Sequence, residues 1–263
     1  MKIDGHIHSP FCPHGSTDSF EQYIEKAIQH GFSSITFTEH APLPSSFIDP
    51  TPDQDSGMSL QTCIKYIETL QTLKQQYANQ ITIKIGLEVD YIVGYEEETR
   101  SILNTFGPQL DDSILSVHFL PLNDSYTCID YSKDVYLQFA HAVGGAKNMY
   151  DLYYATVLQS IHADLGPYKP TRIGHPTLIH KFQLALSEQI DDEQNVKGIL
   201  QAIYDAQYEL DFNSAGLSKP YCKEPYPPLS YLPFIETIGL QKVFGSDAHT
   251  ASDLHQHYDI VNK

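Results

Sequence analysis

Basic residues are scarce in this chain of 263 residues, and arginine above all. Lysine and arginine together total 16, whereas aspartate and glutamate total 33, so the formal net charge is −17. Only two of the basic residues are arginines, Arg100 and Arg172. A surface of this sign repels nucleic-acid backbones and anionic membranes. We therefore expect no nucleic-acid or membrane partner, and a small molecule as the partner.

Several sequence patterns that would indicate other classes of protein are also missing. The four cysteines, Cys12, Cys63, Cys128 and Cys222, are far apart and form no Cys-x-x-Cys pair, which excludes a zinc ribbon or a thioredoxin-like redox motif. We expect no signal peptide, and no apolar run is long enough to span a bilayer. No Gly-x-Gly-x-x-Gly follows the first strand, so a dinucleotide-binding fold is not favoured. We expect a cytoplasmic protein with reduced thiols.

What the sequence does contain is a regular alternation of strand and helix patterns. Strands are predicted at 2–8, 34–40, 81–89, 113–119, 172–175, 209–213 and 242–247. Helices are predicted from Asp18 to His30 and at 60–77, 96–106, 147–165, 195–207 and 229–238, with a terminal helix from Ser252. Such alternation is typical of a parallel sheet, and at this length of a closed α/β barrel. An open doubly wound sheet is the alternative, and nothing divides 1–263 into two domains.

Imidazoles and carboxylates follow the apolar stretch of nearly every predicted strand. In chain order these side chains are His6, His8, His40, Glu88, Asp90, His118, His175, Asp247 and His249, with His14 in the first loop. In a parallel barrel these strand ends open on one face, where the active sites of such folds lie. Seven of the 13 histidines fall at these places, which argues against random scatter. The sequence therefore predicts a metal site at this end of the barrel.

The number of candidate ligands indicates more than one ion. Without Asp90 there are nine, and a single zinc needs three or four. Two or three ions that share carboxylates fit this number better. Mixed imidazole and carboxylate ligation suits zinc, manganese or iron, and the pattern does not choose among them.

The same residues stand in short motifs that resemble those of the polymerase-and-histidinol-phosphatase (PHP) superfamily. The motifs are Asp4-Gly5-His6-Ile7-His8, Thr38-Glu39-His40, Gly86-Leu87-Glu88, Ser116-Val117-His118, Gly174-His175-Pro176 and Ser246-Asp247-Ala248-His249. They occur in order over nearly the whole chain. The stretches Phe11–Gly15 and Gly216–Pro227 further resemble the histidinol-phosphatase branch. The resemblance implies a single-domain, distorted seven-stranded (β/α) barrel that holds three divalent metal ions.

The resemblance also implies how the ligands are shared among the three ions. His6, His8, Glu88 and Asp247 would hold the first ion; Glu88, His118 and His175 the second; and His14, His40 and His249 the third. Asp90 lies outside this set and is interpreted as a supporting or barrel-end polar residue. Asp4 and Glu39 are either acceptors for N–H groups of ligand imidazoles or ordinary loop-end carboxylates.

Clustered metals favour phosphate-ester hydrolysis, because a bridging water becomes a nucleophile near neutral pH while the ions bind the phosphoryl oxygens. Asp247 and His249 are the candidates to protonate the leaving alkoxide, Asp247 being preferred. Arg172 and Lys219 are the candidate phosphate-binding cations, and the alternative for Arg172 is a buried structural ion pair. Ser218 stands where the histidinol-phosphatase branch often has an arginine, which is a departure from the family pattern.

The resemblance implies a phosphomonoesterase that hydrolyses L-histidinol phosphate in histidine biosynthesis. The first alternative is a related phosphoesterase acting on a nucleotide, a sugar phosphate or phosphotyrosine. The second alternative, from another class, is a metal-holding protein without turnover. The complete ligand set argues against the last, since loss of function usually removes ligands first.

Overall fold

Strands and helices alternate along the chain in the computed structural model, which describes residues 1–261. The strands are β1 (Ile3–Ile7), β2 (Ser34–His40), β3 (Thr82–Asp90), β4 (Ile114–Ser116), β5 (Phe119–Leu122), β6 (Ser125–Cys128), β7 (Arg172–Ile173), β8 (Glu209–Asn213) and β9 (Lys242–Gly245). Seven of them form one parallel sheet in the order β1-β2-β3-β4-β7-β8-β9, and β5 pairs with β6 as an antiparallel hairpin. The sheet follows chain order, as expected when each strand is placed beside the previous one by a crossover connection.

The helices cover the outside of this sheet. They are α1 (Phe20–Gln29), α2 (Leu60–Gln76), α3 (Glu96–Phe106), α4 (Lys133–Ala142), α5 (Ala146–His162), α6 (Glu193–Asp205), α7 (Leu232–Ile238) and α8 (Tyr258–Val261), with a 3-10 segment at Leu178–Ala185. Each longer helix buries an apolar stripe; in α1 it consists of Phe20, Tyr23, Ile24 and Ala27. β2 is buried at every position, because core side chains lie on one face and helices on the other. Within the described residues, none of the helices has the length and apolar character needed to cross a membrane.

The sheet closes on itself through contacts between β1 and the segment after β9. The Asp247 amide donates to the His6 carbonyl at 2.8 Å, and Ile7 forms a parallel bridge with Ala248. Asp4 stabilises this seam between β1 and the segment after β9, because one oxygen of its carboxylate accepts a hydrogen bond from the Ser246 amide at 3.0 Å. The predicted (β/α)7 barrel of the TIM type is confirmed, and the open doubly wound sheet is excluded.

The main difference from the sequence prediction lies between 119 and 146. There the structure has the hairpin β5–β6 and the helix α4, none of which the sequence pattern indicated. The predicted terminal helix from Ser252 is also wrong in its extent: a 3-10 turn at Ala251–Asp253 precedes the short α8, and His255 and His257 have positive φ values, which interrupt a helix. The last two residues of that prediction lie outside the described residues.

Arg172 lies inside the barrel, nearer the amino ends of the strands than the histidines do. It is 2% exposed, donates to the Gly5 carbonyl at 2.9 Å and pairs with Asp112 at 3.1 Å. A Cβ at Gly5 would lie 2.4 Å from the guanidinium, so this glycine leaves the space that the arginine fills. The buried structural ion pair, which was the alternative for Arg172, is what the structure contains. The expectation of a phosphate-binding Arg172 is therefore corrected.

We predict that Arg172→Met lowers the free energy of unfolding by about 3 kcal/mol, because Asp112 loses its buried partner. Urea unfolding of the wild type and the variant measures this difference. Arg100→Met is the matched control: Arg100 forms exposed ion pairs with Glu97 and Asp164, so its loss should cost less than about 1 kcal/mol. If both variants lost an equally small part of the free energy of unfolding, the structural role of Arg172 would be contradicted.

Candidate metal centre

The Glu88 carboxylate, at the end of β3, is surrounded by imidazoles from other strands. Its Oε2 lies 3.4 Å from His6 Nε2, 3.4 Å from His8 Nε2 and 3.3 Å from His40 Nδ1. Its Oε1 lies 2.8 Å from His175 Nε2 and 3.6 Å from His118 Nε2. The two oxygens thus face two separate groups of imidazoles, an arrangement suited to a carboxylate that bridges two ions.

Asp247 and His249 complete this face of the barrel from the segment after β9. Asp247 Oδ1 lies 3.2 Å from His8 Nε2 and 3.7 Å from His6 Nε2. The ring of His249 stacks on that of His8, with centroids 3.9 Å apart. Asp247 has φ 51° and His175 has φ 22°, values that non-glycine residues rarely adopt. Such backbone strain persists where the surroundings impose a functional geometry.

Three of the imidazoles are oriented by a carboxylate on their other ring nitrogen. His6 Nδ1 lies 2.8 Å from Asp211 Oδ2, His8 Nδ1 lies 3.1 Å from Glu39 Oε1, and His118 Nδ1 lies 2.7 Å from Asp90 Oδ1. Metal-binding histidines have this type of partner, which fixes the ring and makes the other nitrogen a better donor. Of the two alternatives given for Glu39 and for Asp90, these contacts favour the supporting role in each case.

Asp211, not Asp4, accepts from a ligand imidazole. Asp4 contacts no ligand imidazole: it accepts from the His6 and Ser246 amides and pairs with His255 Nδ1 at 2.9 Å. Sequence reasoning missed Asp211, which orients His6. A signal existed in β8, because strand alternation puts Asp211 on the same face as Asn213, at the carboxyl end of an inward-facing strand.

The dense charge shifts the pKa values of the group in both directions. Burial raises the pKa of Glu88, but His6 and His118 outweigh it and hold that pKa well below its usual range. Burial lowers the pKa of His6, but Asp211 and Glu88 raise it well above the usual value. Burial and the neighbouring His8 lower the pKa of His249 to about 3. The carboxylates are thus ionised, as metal ligands must be.

The unpaired nitrogens of the cluster indicate that it is built for cations. His6 Nε2, His8 Nε2 and both ring nitrogens of His40 are buried without a hydrogen-bond partner. Orphaned polar atoms of this kind are costly in a folded protein unless a ligand satisfies them. The potential donor atoms of three overlapping sets lie within 4.8 Å of one another: His6, His8 and Glu88; His6, His175 and Asp247; and Glu88, His118 and His175. The residues present therefore fit divalent metal ions.

Two members of the third predicted set lie in one group with other donors, and the remaining member lies at the edge of that group. His40 and His249 lie together with His8 and Cys12, whose donor atoms are all within 4.8 Å of one another. His14 stands at the edge of this group: its side chain is 38% exposed, its Nδ1 contacts the Asp55 carbonyl at 3.1 Å, and its ring centroid is 5.1 Å from that of His40. The structure thus brings eight of the nine predicted ligands close together and has the ninth at the rim.

A cavity of about 510 Å³ opens directly over the cluster. Its wall includes Glu88, His118, His175, Asp247 and His249, together with Lys181, Lys219, Ser218, Asp130 and Tyr226. Thr51, Asp55 and Ser56 also line it, so the proline-rich loop at 41–57 covers part of the mouth.

The candidate cations differ in their relation to this cavity. Lys219 is in its wall and so lies beside the predicted centre, whereas Arg172 is not among the lining residues. Lys181 escaped the sequence analysis because its place in the wall depends on the 3-10 segment at Leu178–Ala185.

The model of the PHP domain family matches residues 4–215. A curated histidinol-phosphatase of Bacillus subtilis is 46% identical over 98% of this chain and 97% of its own length. A curated probable histidinol-phosphatase of Deinococcus radiodurans is 29% identical over 95% of this chain and 87% of its own length.

Two crystal structures share the fold. A provisionally assigned histidinol phosphatase of Listeria monocytogenes superposes with a TM-score of 0.93 at 39% identity, covering 98% of this chain and 99% of that one. A histidinol phosphate phosphatase of Lactococcus lactis, complexed with zinc, L-histidinol and phosphate, gives a TM-score of 0.74 at 20% identity, covering 99% of this chain and 92% of that one.

We predict that Asp211→Asn weakens binding of the most affected metal ion by about 10- to 100-fold, because His6 loses its negatively charged partner. Competition with a chelator, followed by elemental analysis, measures the affinity. Asp205→Asn, an exposed change on α6, should leave it unaltered. Unchanged affinity in the Asp211 variant would rule out an orienting role.

Proposed function

The chain belongs to the PHP domain family, and on that premise we propose that it is a metal-dependent phosphomonoesterase that hydrolyses L-histidinol phosphate to L-histidinol and phosphate. The observation that carries the proposal is the Glu88 carboxylate among five imidazoles at the floor of an open cavity. The histidinol-phosphatase of Bacillus subtilis, at 46% identity over nearly the whole chain, supports the choice of substrate.

We propose three divalent ions, with zinc supported by the ligands of the Lactococcus lactis enzyme. The first would be held by His6, His8, Glu88 and Asp247, the second by Glu88, His118 and His175, and the third by His14, His40 and His249. When bound, such ions lower the pKa of water and neutralise charge on phosphoryl oxygens. The protein's part is to hold the donors in fixed positions, which Asp211, Glu39 and Asp90 do through the outer nitrogens of the imidazoles.

Asp247 is proposed as the residue that moves the proton. Burial raises its pKa, but His6 and other imidazoles hold that pKa well below the usual range, so the carboxylate is ionised. Its proposed role rests on its position in the cluster, where it would take a proton from the attacking water and return it to the leaving alkoxide of the substrate. His249 is the second candidate, because its Nδ1 lies 3.6 Å from Asp247 Oδ1.

Lys181 is proposed as the fixed cation that binds the phosphate group. It lies in the cavity wall, and its Nζ is held by Asp130 Oδ2 at 2.8 Å. The neighbouring His180 is fixed between Asp192 and Glu224, at 2.7 Å from each, so the segment that carries Lys181 is anchored from two sides. An ammonium held in this way offers its remaining N–H groups to the cavity.

Other residues of the wall suit the rest of the substrate. We propose Lys219, another residue of the cavity wall, as a second cation for the phosphate. Asp55 and Asp253 are carboxylates at the cavity, and they suit the ammonium of histidinol. Tyr226 is buried in the wall and offers an aromatic surface to the imidazole. We further propose that 1–263 acts as one domain in the cytoplasm, without a nucleic-acid or membrane partner.

Phosphate release from a substrate panel tests the proposal. The metal-loaded protein should prefer L-histidinol phosphate over a nucleoside monophosphate, a sugar phosphate and phosphotyrosine. Elemental analysis of the same sample gives the number and identity of the ions. A preference for another ester would replace the substrate, and no release from any ester at full metal content would indicate a binding protein without turnover.

We predict that Lys181→Met lowers kcat/KM for histidinol phosphate by about 10- to 150-fold, which corresponds to the loss of a hydrogen bond to a charged group. Competitive inhibition by inorganic phosphate should weaken in parallel, and Lys181→Arg should retain part of both. Lys133→Met, on the exposed surface of α4, is the matched control. Normal phosphate inhibition in the methionine variant would exclude Lys181 from phosphate binding.

A further inference from the structure

Cys12 is buried against the metal centre, and its position is unlike that of the other cysteines. Its side chain is 7% exposed, and its Sγ and nitrogens of His8, His40 and His249 lie within 4.8 Å of one another. Cys63 and Cys222 are buried in the hydrophobic core, where burial raises the pKa of each thiol, and the Cys222 thiol donates to the Glu224 carbonyl at 3.4 Å. The fourth, Cys128, donates to Asp130 on the opposite part of the cavity wall.

The first loop is tied at both ends to the elements that provide the neighbouring imidazoles. Ser9 binds the Glu39 carboxylate with its amide at 2.8 Å and its hydroxyl at 2.6 Å, and Glu39 directly precedes His40. At the other end, the Ser16 amide donates to the His249 carbonyl at 3.1 Å. The position of Cys12 relative to His40 and His249 is therefore set by hydrogen bonds.

The turn itself holds the thiol toward the cluster. The Cys12 amide donates to the Ser9 carbonyl at 3.0 Å, and the Gly15 amide donates to the Cys12 carbonyl at 3.2 Å. A Cβ on Gly15 would lie 2.8 Å from the Cys12 Cβ and 3.3 Å from its Sγ. Glycine at this position therefore allows the loop to close over the cysteine side chain.

Unsatisfied nitrogens point to a ligand at this place. His40 is 8% exposed and neither of its ring nitrogens forms a hydrogen bond; Nδ1 faces Glu88 Oε2 at 3.3 Å. A tetrahedral ion with bonds of about 2.0 Å to nitrogen and 2.3 Å to sulfur holds its donors roughly 3.5 Å apart. The present donor atoms, which all lie within 4.8 Å of one another, are close to that spacing.

We propose that Cys12 is a thiolate ligand of the third metal ion, beside His40, His249 and His14. The inference rests on the proposed metal centre and adds a donor to it. On binding, the S–H bond breaks, the proton leaves to solvent, and the sulfur lone pair forms the bond to the ion, with no change in oxidation state. A fourth protein donor closes the coordination of this ion, whereas catalytic ions keep an open position.

The thiolate also gives the third site its own preference for metal. Sulfur ligands favour zinc and cobalt over manganese or magnesium, which prefer oxygen. The two ions that share Glu88 would have only nitrogen and oxygen donors from the protein. The centre would thus contain one zinc-selective site and two less selective sites that activate the water.

Cobalt substitution tests the proposal, because a thiolate bound to Co²⁺ gives an intense charge-transfer absorption in the near ultraviolet. The Co²⁺-loaded wild type should show this band, and Cys12→Ser should lose it. Cys128→Ser is the matched control, a second thiol at the same cavity, and it should keep the band. The Cys12→Ser variant should also bind one of its Zn²⁺ ions, the one at the third site, at least about tenfold less tightly than the wild type does.

A measurement on the unaltered chain covers the case in which the serine variant fails to fold. X-ray absorption at the zinc edge of the fully loaded wild type should include a sulfur scatterer at about 2.3 Å. A charge-transfer band that persists in Cys12→Ser, or a zinc shell of nitrogen and oxygen alone, would overturn the assignment. The visible bands of bound Co²⁺ and the turnover of histidinol phosphate report separately on whether the metal centre and the proposed function exist.

Discussion

The architecture of this protein depends on one buried carboxylate that needs positive charge around it. Glu88 is 1% exposed, and an isolated anion at that depth would be strongly unfavourable. Five imidazoles from four other strand ends surround it, and outer carboxylates hold three of them in place. The cluster alternates negative and positive groups from its centre outward. Divalent ions complete the same pattern, so the geometry of the ligands and the charge balance of the core have a common basis.

The sequence predicted the barrel, and it also indicated most of the side chains that the structure gathers around Glu88, because both follow from local patterns. Parallel strands buried on both sides appear as short apolar runs, and the residue just after each run lies on the common rim. Glu88 and His175 are therefore identifiable from position alone. The hairpin β5–β6 lacked such a pattern: Phe119–Leu122 contains a proline and Ser125–Cys128 is largely polar, as suits a ribbon outside the main sheet.

The remaining errors concern side chains whose role depends on direction. Arg172 is on the strand that leads to His175, but its long side chain reaches back toward Gly5 and Asp112, away from the cavity. Lys181 and Cys12 lie in irregular segments, where no periodicity indicates which way a side chain points. Asp4 and Asp211 are both aspartates in inward-facing strands, and only the register between neighbouring strands decides which one meets His6. Such information comes from the packed structure.

The seam between β1 and the segment after β9 has a consequence for how the centre is assembled in time. The ligands are distributed from His6 to His249, so a nascent chain leaving the ribosome has the first pair of imidazoles almost at once and the last pair of ligands only near the end of synthesis. The centre cannot be complete before β9 has joined β1. Loading of the proposed metal ions would therefore be a late event that follows closure of the barrel, and chains ending before Asp247 would lack both the seam and the site.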